Sequence, residues 1–172
     1  MCEADGNDMK ILVVGLGNPI LGDDGVGWKV AEEVQRKLPA GSPTEVICLS
    51  LGGISLMEHL IGYDRVVIVD AFETDAMPGS ITVLKLSQLP NYSAYHMTSI
   101  HDTSLQKAME LGREMGAHLP DDVMIVGITT EPIREFGEEL SPPVARVVPC
   151  VVNIVIDLIR EILVVPQHQG HP

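Results

Sequence analysis

Residues 10–27 read KILVVGLGNPILGDDGVG, an apolar segment followed by a glycine-rich loop that carries two adjacent carboxylates, Asp23 and Asp24. Residues 10–14 are typical of a buried strand, and the apolar residues over 26–38 recur at helical spacing. The loop therefore joins a strand to a helix. Open α/β sheets bind ligands at such loops, at the carboxyl ends of parallel strands. We expect the functional site here.

The composition is that of one domain with a sizeable core. The chain has 172 residues, of which 45% are apolar, so a single domain over 1–172 is predicted. We expect an ordered core over about 10–164 and frayed tails at 1–9 and 165–172. A formal net charge of −13 argues against nucleic acid as a partner, because phosphate binding needs clustered Lys and Arg.

The cysteines and the apolar runs indicate a cytoplasmic protein. Cys2, Cys48 and Cys150 are odd in number and far apart, which supports neither a disulfide framework nor a zinc site. Reduced thiols are the expectation. The longest apolar stretches have the length of strands, and the acidic N-terminus lacks the basic and apolar order of a signal peptide. No membrane association is expected.

Apolar runs alternate with helical patterns along the chain. Strands are predicted at 10–14, 45–49, 65–69, 80–86 and 123–129, and helices at 24–38, 52–60, 103–116 and 142–163. The fourth strand follows the third too closely for a parallel crossover, so we place it antiparallel at an edge. The predicted fold is α/β, a three-layer αβα sandwich. Its twisted sheet has about five mostly parallel strands, one antiparallel edge strand and helices on both faces.

This topology brings three ionisable side chains toward one edge of the sheet. Asp24 follows strand 1, Asp70 follows strand 3, and His101 precedes the helix that leads to strand 5. Two carboxylates and an imidazole suit a divalent metal such as Ni, Zn, Mn or Fe. Such a set leaves coordination positions open for a substrate or water.

Each of these residues also has a structural explanation, and the residues alone leave both open. Asp23 or Asp24 could cap the following helix, and Asp70 could end its strand through an Asx-turn. His101 could be a solvated loop residue, with Asp102 or Thr103 capping the next helix.

Other catalytic signatures are absent from the sequence, which contains neither H-E-x-x-H nor G-x-S-x-G. Gly15-x-Gly17 begins a dinucleotide fingerprint, but Ile20 stands where its third glycine belongs. The adjacent carboxylates would also repel a pyrophosphate near the helix start. A nucleotide-binding module is therefore the weaker interpretation.

A resemblance to a known family indicates a function that the spacing of the motifs alone does not. The chain resembles the hydrogenase maturation proteases, in order and spacing, over nearly its whole length apart from the tails. The motifs that carry the resemblance are Val14-Gly15-Leu16-Gly17-Asn18, Gly22-Asp23-Asp24-Gly25-Val26-Gly27, Gly52-Gly53, Val67-Ile68-Val69-Asp70-Ala71, Ser99-Ile100-His101, Val126-Gly127-Ile128 and Leu140-Ser141-Pro142.

The resemblance implies an endopeptidase with one protein substrate, the precursor of the large subunit of a nickel-iron hydrogenase. Members of the family remove a short C-terminal extension from it after nickel has been inserted. The family's metal contacts, which are also its catalytic residues, fall on Asp24, Asp70 and His101. The resemblance further implies nickel carried by the substrate, no organic cofactor, and a monomer.

One position departs from the family pattern. An aspartate commonly precedes the paired glycines, and here that position is Leu51. The departure leaves the three predicted metal contacts intact but removes a basis for predicting which hydrogenase is the client. His96 and the Glu131-Pro132 pair are further candidate substrate contacts.

Two rival functions remain at the level of sequence. A non-enzymatic chaperone could use the same three residues to hold a nickel-loaded client. Residues 14–19 also resemble the opening of peptidyl-tRNA hydrolases, but the histidine-asparagine motif of those enzymes does not follow, and the acidic charge opposes tRNA binding.

Overall fold

The computed structural model describes residues 9–89, 104–132 and 136–164. Five strands and four α-helices make up this part of the chain. The strands are β1 Ile11–Leu16, β2 Thr44–Leu49, β3 Arg65–Glu73, β4 Ile81–Lys85 and β5 Asp122–Thr130. The helices are α1 Val26–Lys37, α2 Gly53–His59, α3 Leu105–Glu114 and α4 Pro142–Val164, and short 3-10 turns lie at Gly22–Gly25 and Leu86–Gln88.

The strands form one sheet in the order β2-β1-β3-β5-β4. All neighbouring pairs are parallel except β4 with β5. Residues 74–80 join β3 to β4, which is too short a connection for a parallel crossover. The predicted five-stranded sheet with one antiparallel edge strand is therefore confirmed.

Helices cover both faces of the sheet because both faces of its strands are apolar. In β3, Val66 and Ile68 belong to the core cluster formed with α2 and α3. Val67 and Val69 belong to the second cluster, formed with α1 and α4. Near-continuous apolar strands of this kind are typical of parallel sheets that are buried on both sides. The predicted three-layer arrangement follows.

Two predicted boundaries near the site were wrong. β3 continues past Asp70 to Glu73, because β5 pairs with it along this whole length, from Asp70 opposite Gly127 to Glu73 opposite Thr130. Asp70 therefore lies inside the strand rather than at an Asx-turn after it. The first helix begins at Val26, since residues 22–25 form a tighter 3-10 turn.

The residue that caps the N-terminus of α3 differs from the two candidates predicted from the sequence. Its N-cap is Ser104, whose side chain accepts a hydrogen bond from the backbone N–H of Lys107 at 3.4 Å. The candidates Asp102 and Thr103 lie outside the described residues, as do both predicted tails apart from Met9.

Cys48 and Cys150 are free thiols on different elements. Burial, with a smaller contribution from the charge of Glu32, raises the pKa of the Cys48 thiol, so it stays protonated at neutral pH. None of the helices in the described part of the chain combines the length and the apolar composition that a membrane span requires.

Candidate functional site

The first loop holds Asp24 in a closed, buried position. The backbone N–H of Asn18 donates to Asp24 Oδ2 at 2.6 Å, and the backbone N–H of Asp24 donates to the carbonyl of Leu21 at 3.2 Å. Only 3% of Asp24 is exposed. A carboxylate so removed from water needs partners of this kind, because an uncompensated buried charge is very costly.

Glycine allows the loop to close this tightly. Gly17 has φ 136°, and a Cβ at this position would overlap the carbonyl oxygen of Asp24. A Cβ on Gly25 would lie 2.9 Å from Cα of Pro19. The glycine pattern of the first loop is thus required to bring Asp24 back against the end of β1.

Gly27 brings the start of α1 against two strands at once. A Cβ at this position would overlap the carbonyl oxygen of Leu16 in β1 and lie 2.5 Å from that of Val69 in β3. Residues of the 3-10 turn Gly22–Gly25 also contact residues of β3. Because Asp70 follows Val69 directly, the close approach of α1 places Asp24 and Asp70 at the same edge of the sheet.

Asp70 is completely buried, with 0% exposure. Its Oδ1 accepts a hydrogen bond from the backbone N–H of Ala71 at 2.9 Å. Its neighbour on β5 is Gly127, and a Cβ there would lie 2.6 Å from the ring of Phe72. The ring of Phe72 therefore occupies the space beside Gly127, on the same face of the sheet as Asp70.

His101, which is predicted to lie beside the two carboxylates, is outside the described residues. The described chain resumes at Ser104 and enters α3 at Leu105, which is buried in the α2 and α3 cluster. By strand alternation, Asp70 points to this same face as Ile68. Within the described ranges, no three side chains of the metal-ligating types come together.

The two adjacent carboxylates of the loop have different structural roles. Asp23 Oδ1 accepts the backbone N–H of Ser141 at 2.6 Å, and Asp23 Oδ2 accepts the Ser141 hydroxyl at 2.7 Å. Ser141 directly precedes Pro142, the first residue of α4. Asp23 therefore anchors the first loop to the start of α4, whereas Asp24 turns toward the sheet edge.

The contact between Asp23 and Ser141 was missed from the sequence, since the two residues are 118 positions apart. The signal that could have found it is the Leu140-Ser141-Pro142 motif, which has a side chain able to hydrogen-bond an acidic loop.

The loops after β2 and β5, which contain other predicted positions, lie at the same edge of the sheet as Asp24 and Asp70. Ser50 donates its hydroxyl to the carbonyl of Gly17 at 2.6 Å, which ties the loop after β2 to the first loop. Leu51 follows it and is exposed, and α2 begins at Gly53. Glu131 and Pro132 are exposed after the end of β5. His96, the remaining candidate contact, lies outside the described residues.

One groove lies away from this edge of the sheet. It has a volume of about 670 Å³ and lies between the end of α1 and α4, lined in part by Lys37, Asn153 and Arg160. Asp24 precedes the start of α1, so the groove is at the opposite edge of the sheet. We therefore do not take it as the catalytic site.

Comparison with known proteins identifies a family. The profile of the family described as "Hydrogenase maturation protease" matches residues 28–158. The matched range contains Asp70 and His101 and begins four residues after Asp24.

Relatives match along most of the chain. The hydrogenase expression/formation protein HupD of Rhizobium leguminosarum bv. viciae is 24% identical over 151 residues, covering 88% of this chain and 74% of HupD. The putative hydrogenase maturation protease MJ0253 of Methanocaldococcus jannaschii is 27% identical over 155 residues, covering 88% of this chain and 97% of that protein.

Solved structures share the fold. The hydrogenase maturating endopeptidase HybD from E. coli superposes with a TM-score of 0.74 at 25% identity, covering 89% of this chain and 93% of HybD. The [NiFe] hydrogenase maturation protease HybD from Thermococcus kodakarensis has a TM-score of 0.65 at 27% identity, with 87% and 99% coverage.

Proposed function

The chain belongs to the hydrogenase maturation protease family, and from this premise we propose that it removes the C-terminal extension of a nickel-loaded hydrogenase large-subunit precursor. The enzyme class follows from the family, so the chain is a maturation endopeptidase. The dependence on nickel and the residues that act are the proposal. We place the enzyme in the cytoplasm as a monomer that needs no organic cofactor.

The observation that carries the proposal is the pair of buried carboxylates at one sheet edge. A backbone N–H holds one oxygen each of Asp24 and Asp70. An ionised carboxylate has about four acceptor sites, so such a hydrogen bond is compatible with metal binding by the same group. Two fixed oxygen donors fit a divalent ion that arrives with the substrate.

Nickel is part of the substrate in this proposal. Asp24, Asp70 and His101 complete the coordination of the ion already bound in the precursor, and this places the scissile bond beside the two carboxylates. A precursor without nickel would lack the group that these side chains recognise. Metal loading therefore decides which precursor is processed.

Hydrolysis then needs neither a serine nor a cysteine nucleophile. A divalent ion polarises a neighbouring carbonyl or lowers the pKa of a bound water. A carboxylate oxygen of Asp24 or Asp70 within reach of that water would act as general base. The buried site limits competing water, which strengthens these electrostatic interactions.

The first test is the intact mass of a large-subunit precursor from the same cell, before and after incubation with this protein. We expect one C-terminal loss from the nickel-loaded precursor and none from a nickel-free control. Stable binding without any loss of mass would favour the chaperone alternative. Equal cleavage of both precursors would refute the metal requirement.

A second test addresses His101 by capture of uncleaved precursor. The protein should lack residues 165–172 in this experiment, because His168 and His171 could bind nickel independently. We expect His101→Ala to lose nickel-dependent capture, with His118→Ala, an exposed histidine near Asp64, as the matched control. Capture by His101→Ala at the level of the unmodified enzyme would rule out its role as a ligand.

A further inference from the structure

Two exposed apolar residues, Ile20 and Phe136, lie on neighbouring segments at the edge that carries Asp24. The backbone N–H of Gly137 donates to the carbonyl of Ile20 at 3.0 Å, and that of Gly22 donates to the carbonyl of Gly137 at 2.5 Å. These bonds form a parallel bridge between Leu21 and Gly137. Ile20 and Phe136 directly precede the two residues of this bridge, so the segments that carry them lie next to each other.

This pair has a fixed relation to Asp24. Ile20 lies in a loop whose beginning, Asn18, donates its N–H to the Asp24 carboxylate, and the N–H of Asp24 in turn donates to the carbonyl of Leu21. On the other side, the hydrogen bonds between Asp23 and Ser141 hold the segment that follows Phe136. The apolar pair therefore cannot shift far from the buried carboxylate.

The exposure of the pair is high for such side chains. Phe136 is 83% exposed and Ile20 is 49% exposed. The chain has two phenylalanines, and the other, Phe72, is half-buried beside the core. Single exposed apolar residues are common on protein surfaces, but an exposed aromatic residue and a second apolar residue on neighbouring segments at the rim of a site are typical of a binding anchor.

Met115 is also an exposed apolar residue, but unlike Ile20 and Phe136 it lies far from Asp24. It is 79% exposed, but it follows the last residue of α3, at the sheet edge opposite the site. It is therefore a matched control for the effect of removing exposed apolar surface.

We propose that Ile20 and Phe136 form a subsite that binds an apolar side chain of the precursor next to the scissile bond. This inference rests on the proposed function, which places that bond at Asp24 and Asp70. An extended peptide advances about 3.3 Å per residue, so a side chain within about three residues of the bond can reach the pair. Burial against the pair would fix the register of the peptide.

The precursor side chain that binds this subsite is apolar rather than charged. Ile20 and Phe136 supply no hydrogen-bonding side-chain atoms, so their contribution to binding is removal of apolar surface from water. A charged peptide residue placed there would lose hydration without gaining a partner. The nickel ion and the apolar side chain are thus two separate recognition elements of one substrate.

The test compares Phe136→Ser, Ile20→Ser and the control Met115→Ser on the nickel-loaded precursor, by cleavage kinetics and by capture of uncleaved precursor. We expect each rim variant to raise KM by about tenfold with kcat changed less than about twofold, since an aromatic or aliphatic anchor contributes energy of this order. Met115→Ser should match the unmodified enzyme. Phe136→Leu should restore most of the affinity.

A second measurement identifies the occupant. Apolar precursor residues within three positions of the cut are replaced one at a time by alanine and assayed with the unmodified enzyme and with Phe136→Ser. We expect one replacement to weaken cleavage by the unmodified enzyme but to add little to Phe136→Ser, because both changes remove the same contact.

Unchanged KM and unchanged capture in the double variant of Ile20 and Phe136 would overturn the subsite. If the unmodified protein binds the precursor without cutting it, the proposed function fails while capture by the rim variants still decides the subsite. If it neither binds nor cuts, both are overturned.

Discussion

Asp23 and Asp24 are adjacent in the chain but have different structural roles. Asp23 accepts two hydrogen bonds from Ser141 and so anchors the loop to α4. Asp24 accepts the N–H of Asn18 and is buried at the sheet edge. A pair of acidic residues in a loop is thus explained by one positioning role and one candidate metal contact.

At the residue scale we predict that Asp24→Asn and Asp70→Asn each lower kcat/KM by at least about 100-fold, the order found when a group that stabilises the transition state is removed. Asparagine is nearly isosteric with aspartate and still offers an oxygen to the N–H of Asn18 or Ala71, so the fold should persist. Precursor cleavage and thermal melting measure the two effects.

Asp23→Asn is the control for the Asp24 and Asp70 variants, because it changes the same charge on the residue that contacts Ser141. We expect it to keep more activity than either candidate metal contact. Full turnover of native precursor by both Asp24→Asn and Asp70→Asn would remove these residues from the mechanism.

At the scale of elements, the site depends on how closely α1 approaches the sheet. Gly27 lies in α1 against the carbonyl oxygens of Leu16 and Val69, and no side chain fits between them. The approach aligns the loop after β1 with the carboxylate inside β3. Neither strand nor helix alone contains the site.

Gly27→Ala should therefore destabilise the protein. Alanine favours an isolated helix over glycine by up to about 1 kcal/mol. Overpacking against two backbone carbonyls costs about 1 to 3 kcal/mol or more, so the tertiary contact outweighs the helix propensity. We expect a net loss of about 2 kcal/mol in the free energy of unfolding, together with loss of cleavage activity.

Gly137→Ala serves as the comparison for Gly27→Ala. Nothing lies within 4 Å of the position that its Cβ would take. Chemical denaturation should show a change below about 0.5 kcal/mol for this variant. Equal stability of the two alanine variants would contradict the packing argument.

At the scale of the molecule, the sheet separates two apolar clusters that share its strands. Leu56 of α2 belongs to one cluster and Ile159 of α4 to the other, and both are buried. Because β1, β2, β3 and β5 each contribute to both clusters, the two layers should unfold together. The single-domain prediction, which stays a prediction, therefore requires that both layers unfold in one transition.

We expect Leu56→Ala and Ile159→Ala each to lower the free energy of unfolding by about 2 to 5 kcal/mol. Each variant should retain one transition, coincident by far-ultraviolet circular dichroism and by the fluorescence of Trp28. A second, separate transition in either variant would show that the two layers fold independently.

Much of the fold could be predicted because the sequence patterns that specify it are local. Unbroken apolar runs such as 66–69 identify central strands, and the short connection before β4 requires an antiparallel edge strand. The end of β3 could not be predicted, because pairing with β5 extends that strand beyond Asp70. Only a distant strand determines that boundary.

The sequence by itself determined the layer order, the family and the edge at which we predict the site, since hydrophobic period, connection length and glycine motifs are properties of neighbouring residues. The tertiary structure decided which loop carboxylate is an anchor and how α1 meets β3. It also decided that the segment of Ile20 lies next to that of Phe136. These contacts join residues far apart in the chain, and their geometry depends on close packing of whole elements, which no local pattern specifies.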